Sequence, residues 1–143
     1  MLLIGSLICA AALGVRFFHR KPIAGLWIGY NFNKINGKMV PDKGLGEFRI
    51  MLSNDGSYLE NGNDTSGTWA QDGDKITLTP KKFRDMTPDE HRKKYLRKSG
   101  KVSPIIEALL SKNMQAMTVT YLAMSDQLTY DEPTLHFQYE RAN

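Results

Sequence analysis

The chain has 143 residues, 41% hydrophobic and 24% charged, with a formal net charge of +4. That length allows one domain plus an extension and is enough to bury a real core. Cys9 is the single cysteine, which excludes an intrachain disulfide framework.

Met1 to Val15 carries no charged side chain, and Phe17 and Phe18 extend its apolar character. The run is shorter than the ~20 residues of a membrane span and has the size of a signal-peptide core. No Lys or Arg precedes it, whereas Arg16, Arg20 and Lys21 follow it. That asymmetry favours an uncleaved single-pass anchor whose downstream domain stays cytoplasmic. A signal peptide is the alternative. Ser6-Leu7-Ile8 before Cys9 does not form a lipobox. Residues 1–21 are therefore read as anchor and linker, and residues 22–143 as the folded domain.

Ile23 to Phe32 reads as a first strand, apolar on both faces. Asn36-Gly37 is a turn dipeptide, and Pro41 to Gly46 reads as loop. From Glu47 to Thr79, short alternating apolar runs are separated by Asn54-Asp55-Gly56, Asn61 to Asp64 and Asp72-Gly73-Asp74. Asn, Asp and Gly tolerate the positive φ that tight hairpins demand, so the segment predicts four consecutive antiparallel strands: 47–52, 57–60, 65–71 and 75–79.

The periodicity then changes. Thr87-Pro88-Asp89-Glu90 is a helix start, with a capping Thr, Pro at the first helical position and acids in the first turn. That helix is expected to run through Lys98. Ser103-Pro104 opens a second, with Ile105, Ile106, Leu109 and Leu110 at helical spacing and expected to dock on the sheet. Residues 81–113 form this two-helix insertion. Residues 81 to 101 hold nine Lys/Arg against Asp85, Asp89 and Glu90. Arg92, Lys93, Lys94, Arg97 and Lys98 are its candidate basic surface, suited to anionic lipid or an acidic protein partner. A merely solvated helix face is the other reading of such a run.

Strands resume at 116–123, 127–130 and 134–140. Leu135, Phe137 and Tyr139 alternate with His136, Gln138 and Glu140. The expected fold is mainly β: eight antiparallel strands in an up-and-down barrel, with the two-helix insertion between strands five and six. Closure of the barrel removes exposed edges.

Gly25-Leu26-Trp27 on the first strand resembles the Gly-x-Trp signature of lipocalins and their calycin relatives. Gly67-Thr68-Trp69-Ala70 through Thr79 is similar to a unit of small bacterial lipocalin-like domains. The resemblance covers residues 23 to 142. It implies that Trp27 closes one barrel end and that Arg141, just after the last strand, packs over it, with Gly25, Trp27 and Arg141 as the structural closure. It also implies an extracytoplasmic barrel, against the positive-inside reading. The lipocalin helix normally follows the last strands, whereas the helices here lie between the fifth and sixth, and the lipocalin disulfide is missing.

No phosphate-binding loop, dinucleotide fingerprint or zinc-protease motif is present. The Asn/Asp/Gly clusters lack EF-hand spacing and read as turns, so no metal or other cofactor is expected. His19, His91 and His136 are scattered, with no partner suggesting catalysis. No nucleic-acid partner is expected. The sequence thus points to a membrane-tethered, non-enzymatic module holding a small apolar or amphipathic ligand. Its candidate cavity and lid residues are Tyr30, Phe48, Tyr58, Tyr121, Phe137 and Leu109. The alternative is a filled barrel at the envelope or membrane surface that uses its basic insertion.

Overall fold

The computed structural model describes residues 22–132 and 135–143, and every strand pair in it is antiparallel. The strands are β1 (Gly25–Ile35), β2 (Lys38–Asp42), β3 (Phe48–Leu52), β4 (Ser57–Glu60), β5 (Thr65–Asp72), β6 (Lys75–Phe83), β7 (Met117–Leu122), β8 (Gln127–Glu132) and β9 (Leu135–Arg141). Between β6 and β7 lie α1 (Pro88–Lys94) and α2 (Pro104–Asn113).

The sheet order is β2-β1-β3-β4-β5-β6-β7-β8-β9, and β1 also pairs with β9, which closes the barrel. The first strand runs past the expected Phe32 to Ile35. Asn36 (φ 50°) and Gly37 (φ 77°) then turn the chain into β2, a strand that takes in Pro41 and Asp42 from the stretch expected to be loop. β2 pairs with residues 31–35 of β1, and β3 pairs with residues 25–29. A short 3₁₀ turn at Lys43–Leu45 separates β2 from β3. These two strands are thus one interrupted stave, and the closed barrel has eight.

Strand parity decides what faces inward. Trp27 is opposite Arg141 and Ile50, Gly29 is opposite Tyr139 and Phe48, and Asn31 is opposite Phe137. Directly paired residues share a face, so these line the interior while Ile28, Tyr30 and Phe32 face outward. The fully enclosed core contains Trp27, Ile50, Leu52, Ile76, Leu78, Val119 and Leu128. Burial of each such aliphatic side chain stabilises the fold by about 1.5–3 kcal/mol.

The helix start at Thr87 is a complete capping box. The Thr87 hydroxyl accepts from the Glu90 backbone N–H, and the Glu90 carboxylate accepts from the Thr87 N–H. α1 ends at Lys94, not at Lys98, because Tyr95 already leaves helical geometry. In α2 Leu110 is buried and Ile106 half-buried, but Ile105 is 70% exposed and Leu109 is also exposed, so the expected docking is made by two residues rather than four. Among the described residues no helix is long and apolar enough to cross a membrane; the run read as an anchor lies outside them.

Candidate functional site

The two ends of the barrel differ chemically. At one end, Arg141 lies over the Trp27 ring with its guanidinium carbon 4.3 Å from the ring centroid. Its Nε and Nη2 donate to the Asp126 carboxylate at 3.0 and 3.2 Å, and Nη1 donates to the Ala24 carbonyl. The Trp27 indole N–H donates to the Ile23 carbonyl at 2.9 Å. Gly25 has φ +145°, and a Cβ there would stand 3.0 Å from the Arg141 Nη1. Gly25, Trp27 and Arg141 therefore meet, with Asp126 as a fourth member. Tyr121 packs edge-on against Trp27 and donates its hydroxyl to Asp126. It belongs to this sealed end, not to a ligand cavity.

The opposite end holds a cavity of about 310 Å³. Phe48 comes from the start of β3, Glu60 from the end of β4, Met117 from the start of β7, Tyr130 and Glu132 from the end of β8, and Phe137 and Tyr139 from β9. A smaller lobe of about 140 Å³ shares Glu60, Met117, Tyr130 and Glu132 with it and adds Tyr58, Thr65 and Pro80. The insertion closes part of the rim with Lys112 and Asn113 from the end of α2, and Gln115 beyond it.

Four rings form a continuous aromatic wall. Phe48 meets Phe137 edge-to-face at 4.9 Å, and Phe137 lies 6.2 Å from both Tyr130 and Tyr139. Glu60 is 4% exposed, and its carboxylate accepts from the backbone N–H groups of Gly62 (2.6 Å) and Asn63 (3.0 Å) and from the Thr65 hydroxyl (3.3 Å). Burial raises its pKa despite these three bonds, which oppose the shift. Tyr130 donates to Glu132. Burial first, then that carboxylate, push the Tyr130 pKa up to about 12. Burial, then the Glu60 charge, also raise Tyr139.

Among the expected cavity residues, the fold brings Phe48, Tyr58 and Phe137 together here. Tyr30 is corrected: it sits on the outer face with Ile28 and Phe32, one residue out of phase with Trp27. Leu109 is corrected as well. It lines a separate groove with Phe83, His91, Tyr95, Ile106 and Leu110, and does not cover the mouth. In the basic set, Lys93, Lys94, Arg97 and Lys98 are exposed, but Arg92 is tied to Glu107 and Asp89 at 2.9 and 3.1 Å.

Sequence reasoning missed Glu60 as a member of the mouth. Glu60 is two residues from Tyr58 on a strand, which already places it inside. It also missed His91, which is 4% exposed, stacks between Phe83 and Tyr95, and sits 2.6 Å through Nε2 from the Phe83 carbonyl. His91 thereby fastens α1 to the end of β6.

No family model matches the chain, and no curated protein matches it. One solved structure, an uncharacterized protein from Bacteroides eggerthii DSM 20697, is similar with a TM-score of 0.47 and 12% identity. The match covers 83% of this chain and 98% of that one, and carries no functional argument.

Proposed function

We propose that the protein is a non-enzymatic, lipocalin-like binding module that takes a small amphipathic ligand into the barrel mouth, tethered to a membrane by its N-terminal apolar run. The observation that carries this reading is the asymmetry of the barrel. One end is plugged by Trp27, Tyr121 and the Arg141–Asp126 pair, while the other keeps about 310 Å³ walled by Phe48, Phe137, Tyr130 and Tyr139. A cavity at the low end of the usual size range, with an aromatic wall and a polar, charged rim, has a form suited to a small amphipathic molecule. Filling the mouth by mutation tests it. Native mass spectrometry of gently purified protein should find a small molecule bound to the wild type and absent from Met117→Trp. A bare mass in the wild type, together with no fragment binding near Phe137, overturns the reading.

A second reading has its own observation. Tyr95 and Leu96 are exposed among Lys93, Lys94, Arg97 and Lys98, with Ile105 on the neighbouring helix. Apolar groups set among cations suit an anionic lipid surface. Reversing Lys93, Lys94 and Arg97 to Glu should then abolish binding to phosphatidylserine vesicles, and wild-type binding should fall with salt. Equal binding to neutral vesicles excludes it.

A further inference from the structure

We infer that the mouth is built for a cationic amphiphile: an aromatic or short aliphatic amine whose ammonium is held by Glu60 and Glu132 and faced by the rings of Tyr130 and Phe137. This rests on the binding-module reading above and specifies its ligand.

The charged side chains around the cavity are two carboxylates, Glu60 and Glu132, and one ammonium, Lys112. They are not equivalent in position. Glu60 is fixed in the wall by three hydrogen bonds and almost wholly enclosed, so its charge acts in a low-dielectric setting. Lys112 is exposed on a flexible stem at the rim and makes no ion pair with either carboxylate among the described residues. The field inside the mouth is therefore that of the carboxylates. A fatty acid or other anion would bring a third negative charge against them.

One buried polar atom beside the mouth lacks a partner, and one hydroxyl opens onto the cavity, independently of the charges. Tyr139 lines the cavity, and its hydroxyl, open to that space, makes no hydrogen bond among the described residues. Asn31, 6% exposed, faces the same interior opposite Phe137, and its Oδ1 is buried with no partner. Buried polar atoms of a native fold are nearly always satisfied, and those that are not call for an explanation. Three of the groups, Glu60, Glu132 and Asn31 Oδ1, only accept in their charged or amide form, and the Tyr139 hydroxyl can accept too. An ammonium supplies up to three donors and no acceptor, and it gains further from the faces of the aromatic wall.

The test uses the full chain and three probes with one aromatic body: 2-phenylethylamine as cation, 2-phenylethanol as neutral isostere and 3-phenylpropanoate as anion. Calorimetry at neutral pH should rank the amine roughly tenfold tighter than the alcohol and the propanoate weakest. Glu60→Gln and Glu132→Gln should each erase most of the amine's advantage while leaving the alcohol's affinity in place. Tyr139→Phe should weaken the amine several-fold. Glu132 is exposed, so its variant reports even where Glu60→Gln does not fold. Equal affinity for all three probes, or propanoate binding tightest, overturns the cation inference and leaves the binding module standing. Absence of binding by any probe, with no resonance shift at Phe137 or Tyr139, sinks the binding reading and this inference together.

Discussion

Arg141 holds Trp27 and Asp126 at once: its guanidinium covers the indole at 4.3 Å while two of its nitrogens fork onto the carboxylate. Planarity makes this geometry available to Arg and not to Lys. Arg141→Ala should destabilise the domain by about 1–3 kcal/mol, since it removes the cation–π contact and two charge-assisted hydrogen bonds to a partly buried carboxylate. Arg141→Lys should recover only part of that loss. Thermal melts of the two variants check it, and equal stability of Lys and wild type would count against the fork.

Gly29 sits at the seam where β1 meets β9. A Cβ there would lie 2.2 Å from the Gln138 carbonyl oxygen and 2.7 Å from the Tyr139 ring. Neither neighbour can retreat without opening the seam, so Gly29→Ala should cost ~2–3 kcal/mol and loosen barrel closure. Urea titration measures the loss, and faster amide exchange confined to β1 and β9 would locate it.

Glu60 gives a pH signature. Its folded-state pKa is raised above its ordinary value of 4.5, with burial as the main cause. A raised carboxylate pKa means that the folded state holds the proton more tightly than the unfolded chain does. The associated stability is present below pH 4.5 and is lost as pH rises through the higher folded value. Relative to Glu60→Gln, the wild type should therefore lose stability between acid and neutral pH. Parallel denaturation curves at both pH values would refute the shift.

His91→Ala should detach the insertion without melting the barrel. The imidazole reaches the Phe83 carbonyl and stacks on Phe83 and Tyr95, and it is the buried side chain of α1, whose other tie, Arg92 to Glu107, runs to α2 within the insertion. Hydrogen exchange should rise from Arg84 to Asn113 and stay unchanged at Ile50 and Val119. A uniform rise across the domain would show that the insertion and barrel unfold as one unit.

Removal of residues 1–21 should leave a soluble domain with the same melting temperature, because the barrel closes through residues from Gly25 onward and, among the described residues, Ile23 is the first buried side chain. Aggregation or loss of the near-ultraviolet signal of Trp27 in the truncated chain would refute this.

Much of the fold was legible where one face is wet and the other dry. Phe48, Ile50 and Leu52 alternate with exposed Arg49 and Met51, and the turns at Asn36-Gly37 and Thr87-Pro88 carry their own chemistry. The Ile23–Phe32 stretch was not legible in this way. It is apolar at both parities, so nothing in its pattern separates outward Tyr30 from inward Asn31; only the side taken by Trp27 does. β2 was hidden for the opposite reason: Lys38, Met39, Val40 and Pro41 are all exposed, so its pairing with β1 leaves no hydrophobic signature. His91 looked like one more polar residue on a charged helix because its burial comes from Phe83 at the end of β6, eight residues back and on a different element. Of the mouth, the aromatic residues, Tyr139 among them, were visible as a class, while Glu60 required the strand parity that Tyr58 sets.

The polypeptide enters and leaves the barrel through the same rim. Ile23 feeds β1 beside Trp27, and the Ala142 N–H donates to the Leu26 carbonyl at 2.8 Å just after β9 ends. Any leash joined to Pro22 therefore pulls on the plugged rim, and the aperture points away from the attachment, roughly 25 Å off along a strand of about eight residues. A solute can reach the aperture without passing the point of attachment, and a reporter fused directly to Pro22 or after Asn143 sits at the rim remote from it.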